Sequence, residues 1–113
     1  MDEATQIRSE LRKFIVDRKV AHMVRAVFHD CVGGCDGCLN RDHQFNAGLP
    51  DSTNWIKTVD LVDNLFDLKY KAWSGLSRAD FYILAAEAGS QNAIDKNNLQ
   101  CKDKGNCFIE YVR

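Results

Sequence analysis

Arg25 and His29 stand four residues apart in "RAVFHDCVGGCDGC", the run from Arg25 to Cys38. On a helix, that spacing puts both side chains on one face. A histidine base beside a fixed cation can move a proton between two oxygens while the cation stabilises developing negative charge. His22, three residues before Arg25, joins the same face. Taken alone the pair is not specific, because an Arg/His pair on a helix is more often a solvated face.

The cysteines of the same run are a second candidate. Cys31, Cys35 and Cys38 follow a C-x3-C-x2-C spacing that can wrap an iron–sulfur cluster. The enzymes that use it so need a large α/β barrel, which this chain cannot build. A zinc site from the three cysteines and His43 lacks the two separated pairs that make zinc knuckles recognisable. Disulfides are the preferred reading: Cys31–Cys35 across the glycine turn and Cys101–Cys107 near the C-terminus. There are five cysteines, so one thiol, Cys38, is left over for a free state or another chain.

The elements that must carry these residues read as helices. Ile7, Leu11, Phe14 and Ile15 make one apolar stripe on a helix from Asp2 to about Arg18, with Asp2 and Glu3 favouring its N-terminal dipole. A second helix runs from about Lys19 to Cys31. Val20, Val24, Val27 and Cys31 are its expected inner face, and His22, Arg25 and His29 its outer one. Gly33, Gly34 and Gly37 open a long loop closed by Pro50, and "DSTNW" starts a third helix with Trp55, Val59, Val62 and Phe66 at helical spacing to about Trp73. Ser77 to Asp80 is a near capping box, and "FYILAAEA" follows as an apolar helix stopped at Gly89. From Gln91 the polar pattern predicts a loop, and "CFIEYVR" a short strand or extended tail. The expectation is all-α, about four helices, with an irregular tail closed by the second disulfide.

At 113 residues the chain is expected to be one domain, residues 1–113. Its 45% hydrophobic and 27% charged residues are those of a soluble globule. A formal net charge of -1 gives no basic field for nucleic acid or an anionic membrane. No apolar run is long enough to span a bilayer, and the polar, acidic start "MDEATQIRSE" is not a signal peptide.

The run resembles the distal helix of the haem peroxidases of plants, fungi and bacteria: Arg, two variable residues, Phe/Trp-His-Asp, often Cys, then a "GCDGS"-like loop. Arg25, Phe28, His29, Asp30 and Cys31 stand in that register, and "GCDGC" stands for the loop. "FNAGL" resembles the segment whose Asn hydrogen-bonds the distal histidine, and "WSGLSRADFYILAAEAG" resembles the family's "GVSxADLxxLAA" helix. The resemblance covers nearly the whole chain. It implies haem as cofactor, His29 as the base that moves the peroxide proton, and Arg25 as the stabiliser of charge when the O–O bond breaks. It places Phe28 against the haem face and makes Asn46 the partner that keeps His29 basic. It further implies a calcium held by Asp30, Gly34 and Asp36, and a buried pair between Asp80 and Arg113.

The sequence also departs from that pattern. Cys38 stands where the family usually offers a Ser hydroxyl, and a thiol is a poor calcium ligand. The proximal histidine that binds haem iron has no counterpart: the histidines are His22, His29 and His43, all on the distal half. The expectation is therefore the distal half of a peroxidase, as a degenerate, non-catalytic, secreted module that self-associates or binds a protein partner over its haem-side face. The alternative is a haem-dependent peroxidase whose proximal wall comes from another chain or a dimer mate.

Overall fold

Asp2 opens the first helix: its Oδ1 accepts the Thr5 N–H at 2.7 Å, and α1 runs Glu3–Leu11 with Ile7 and Leu11 turned inward. The structure, a computed structural model, describes residues 2–39, 52–72 and 75–104, with Ser52 and residues 101–104 as backbone only. α2 is Arg18–Val32, α3 is Ser52–Leu65 continued by a π-helical turn at Phe66–Tyr70, and α4 is Arg78–Lys104. Among the described residues there is no strand, and the fold is all-α. The segment "CFIEYVR" lies outside them.

The helix expected from Asp2 to about Arg18 ends at Leu11 instead. Asn92 Nδ2 on α4 donates to the Arg12 and Ile15 carbonyls at 2.8 and 3.0 Å. Carbonyls that a longer helix would bond internally are satisfied by a side chain 80 and 77 residues further along. Asp17, at φ 55°, then turns the chain into α2.

α4 corrects a second boundary. It starts as expected, with a reciprocal capping box: Ser77 Oγ accepts the Asp80 N–H at 3.0 Å and Asp80 Oδ2 accepts the Ser77 N–H at 3.1 Å. It does not stop at Gly89, and the loop expected from Gln91 is helix through Lys104. A Cβ on Gly89 would lie 2.6 Å from Ile15 Cγ2 and 3.4 Å from Val20 Cα. The glycine is there because the α1–α2 corner presses on the helix backbone, not because the helix ends. The polar stretch after it forms a solvated face tied to that corner, with Arg12 bridging Asn92 and Asp95 and Lys96 reaching Asp17.

Trp55, Val59, Val62 and Phe66 are all buried, as their spacing predicts. They meet Phe81, Tyr82 and Ala85 of α4, with Phe66 and Tyr70 each 5.3 Å from the Phe81 ring. Arg78 joins this layer. Its guanidinium donates to Asp63 at 2.9 Å and Asp67 at 2.7 Å and lies over the Phe66 ring. Burial opposes its charge, but Asp63 and then Asp67 outweigh that and push it above its usual range.

The faces of α2 depart in part from the sequence expectation: Val20 and Val27 pack on the core as expected, but Val24 and Cys31 do not, and His22 and His29 of the expected outer face are inside. His22, Met23, Ala26, His29 and Asp30 are buried, whereas Val24, Phe28 and Val32 are 49%, 61% and 63% exposed. Polar residues go inside because each finds a contact there: Thr58 for His22, an indole for His29, a loop amide for Asp30.

Candidate active site on the buried face of α2

Arg25 and His29 meet on one ring. The Arg25 guanidinium carbon sits 4.8 Å from the centroid of Trp55, and the His29 ring lies 5.2 Å from that indole, tilted by 59°. Phe28 touches His29 edge-on at 5.8 Å and is otherwise open to solvent. The expected set of Arg25, Phe28 and His29 is thus brought together on α2. Asn46, its expected fourth member, lies outside the described residues.

α3 holds this stretch of α2 in rotation. Trp55 Nε1 donates to the His22 carbonyl at 3.0 Å. One turn on, Thr58 Oγ1 sits 2.8 Å from His22 Nδ1 and 3.2 Å from the Asn54 carbonyl. A hydroxyl has one proton. With that proton directed to Asn54, His22 donates through Nδ1–H to Thr58 and is a structural residue, not a solvated one. Sequence reasoning missed Trp55 and Thr58 as site residues. The signal for Trp55 was its place in the apolar row of α3; none in the sequence marked Thr58.

Behind the pair, Asp30 folds the cysteine loop. Both its carboxylate oxygens accept the Gly37 N–H, at 2.9 and 3.0 Å, and its carbonyl accepts the Cys35 N–H at 2.9 Å. Gly37, at φ +77°, is pressed on the start of α4, where a Cβ would come 2.8 Å from Arg78 Cβ. Cys31 and Cys35 are joined in a disulfide, as expected, and Cys38 is an exposed free thiol. Cys101 is on α4 with its side chain outside the described atoms and Cys107 lies outside them altogether, so the second disulfide does too. Likewise Asp80 is engaged in the capping box, and Arg113, its expected partner, is outside the described residues.

Burial raises the Asp30 carboxyl above its usual range against the Gly37 N–H, and the Asp36 charge adds to the rise. Asp36 itself accepts the Cys38 N–H at 3.0 Å. The two carboxylates of the expected calcium set are thus turned onto loop amides. Among the described residues no three or more His, Cys, Asp or Glu side chains gather as a metal site. The loop as folded does not fit a calcium ion.

For haem the residues divide. A base and a cation that share one indole, with an exposed apolar ring beside them, are of the types that would fit it on one side. Neither described histidine would serve as a ligand to its iron, because His22 is held on Thr58 and His29 packs on Trp55. His43 lies outside the described residues.

No curated protein and no solved structure shows significant similarity to the chain. A family model described as peroxidase matches residues 5–104, which takes in all four helices and the Arg25–His29 run. The chain belongs to the peroxidase family.

Proposed function

We propose that the chain supplies the distal wall of a haem-dependent, peroxide-reducing site whose axial iron ligand comes from outside the described residues, in this polypeptide or another. The observation that carries this is the seating of Arg25 and His29 on one buried indole. Haem, when bound, supplies the redox iron at which the peroxide O–O bond is broken. His29 takes the proton from the incoming peroxide and returns it to the departing oxygen. Arg25 stabilises the negative charge that develops as the O–O bond breaks. The Cys31–Cys35 disulfide ties the end of α2 to the loop and supports an oxidising, extracellular setting.

A second reading has its own observation. Val24, Phe28 and Val32 form an exposed apolar stripe on α2, which favours a non-catalytic module that docks a protein partner or a second copy there. Titrating the protein with haemin in the presence of imidazole, as a stand-in axial ligand, separates the two. The distal-wall reading expects a stoichiometric, shifted Soret band that weakens in Phe28→Asp. A spectrum that stays that of free haemin–imidazole would favour the non-catalytic reading.

A further inference from the structure

We propose that Trp55 is the positioning residue of the distal pair, an inference that rests on the distal-wall reading. Trp55 is fully buried on α3 and grips α2 at three successive places. Its Nε1–H holds the His22 carbonyl at 3.0 Å, its ring carries the Arg25 guanidinium at 4.8 Å, and the same indole packs against His29 at 5.2 Å. Thr58, one turn further along α3, fixes the side chain of the same His22 at 2.8 Å. Main chain and side chain of one α2 residue are therefore held by two α3 residues, which sets the rotation of α2 about its axis. The rotation in turn decides where Arg25 and His29 point.

The ring does more than fill space. An arginine side chain samples many rotamers, and ordering it costs entropy that a contact must offset. A guanidinium stacks on an aromatic through its face, whereas its N–H groups lie in its plane. The seat over Trp55 thus restricts where the Arg25 side chain can go. A leucine in place of Trp55 would keep an apolar wall but would remove both the ring face and the N–H to His22.

The test reads Arg25 directly, without haem. In the isotope-labelled chain, the Arg25 side-chain protons are expected to be shifted upfield by the indole ring current. Trp55→Leu moves them to random-coil positions, and Trp55→Phe, which keeps a ring, retains most of the shift. With haemin and imidazole bound, Trp55→Leu lowers the second-order rate constant with hydrogen peroxide by roughly ten- to a hundredfold, and Trp55→Phe recovers most of it. A merely structural role would lower the melting temperature without moving the Arg25 resonances relative to the rest of the chain. Random-coil Arg25 shifts in the wild type, or shifts that Trp55→Leu leaves in place, would overturn the proposal. If Trp55→Leu does not fold, Arg25→Ala is read from the other side: the Trp55 ring resonances move if the stack exists and stay put if it does not. A wild type that binds haemin but does not react with peroxide overturns the distal-wall reading, and the resonances still decide the role of Trp55.

Discussion

Asp30 couples His29 to the loop behind it. It follows His29 directly, and its carboxylate closes the cysteine loop through the Gly37 N–H. Burial, with Asp36 adding to it, raises this carboxyl. The native chain therefore holds the Asp30 proton more tightly than the unfolded chain does. Its contribution to stability falls as pH rises from the ordinary Asp value of about 3.9 through the raised folded value, and levels off above it. Asp2 works in the opposite sense, because the Thr5 N–H lowers its carboxyl and favours the folded state above the ordinary value. Asp30→Asn should remove the Asp30 slope alone. Urea midpoints measured from about pH 3 to about pH 7 should show the wild type losing stability relative to the variant with rising pH, then running parallel to it. A wild-type advantage that grows with pH would contradict the account.

At the scale of elements, the sequence was legible where local rules decide and opaque where distant residues do. The capping box at Ser77–Asp80 and the buried row Trp55, Val59, Val62 and Phe66 depend only on neighbours and period, and both appear as read. The end of α1 depends on Asn92, and the continuation of α4 depends on the α1–α2 corner; neither partner is visible in a local window. The face of α2 was legible in part: Val20 and Val27 pack inward as read, but the apolar count also put Val24 and Cys31 inside and left His22 and His29 out. Only the presence of Thr58, Trp55 and Gly37 opposite explains why its polar side went in.

Gly89 tests that account of α4. Alanine there gains about 1 kcal/mol of helix propensity, but its Cβ meets Ile15 Cγ2 at 2.6 Å with the Val20 backbone behind. Overpacking of this kind costs about 1–3 kcal/mol, so the clash should win. The expected result is a net loss of about 1 kcal/mol by urea denaturation, from the difference of those two terms. A stabilised variant would mean that Gly89 serves no close approach.

At the scale of the whole molecule, α3 and α4 act as a backing plate. Arg78 ties α3, the π-helical turn and α4 together through Asp63, Asp67 and the Phe66 ring, and Gly37 seats the cysteine loop on its side chain. α2 lies on that plate with Arg25 and His29 on Trp55 and with Val24, Phe28 and Val32 facing out. No described helix is long and apolar enough to cross a membrane. The open stripe adjoins Arg25 and His29, and under the proposed function it is where the rest of the site would meet the chain. Under that proposal the described residues form one wall of the site, with Arg25 and His29 held on Trp55.

The most direct test of that wall is the second-order rate constant for hydrogen peroxide of the haemin- and imidazole-loaded protein, compared with His29→Ala. If His29 moves the peroxide proton, the variant should be slower by about 10²–10⁴-fold with its Soret band intact. Equal rates in the two proteins, with haemin bound equally well, would contradict the account.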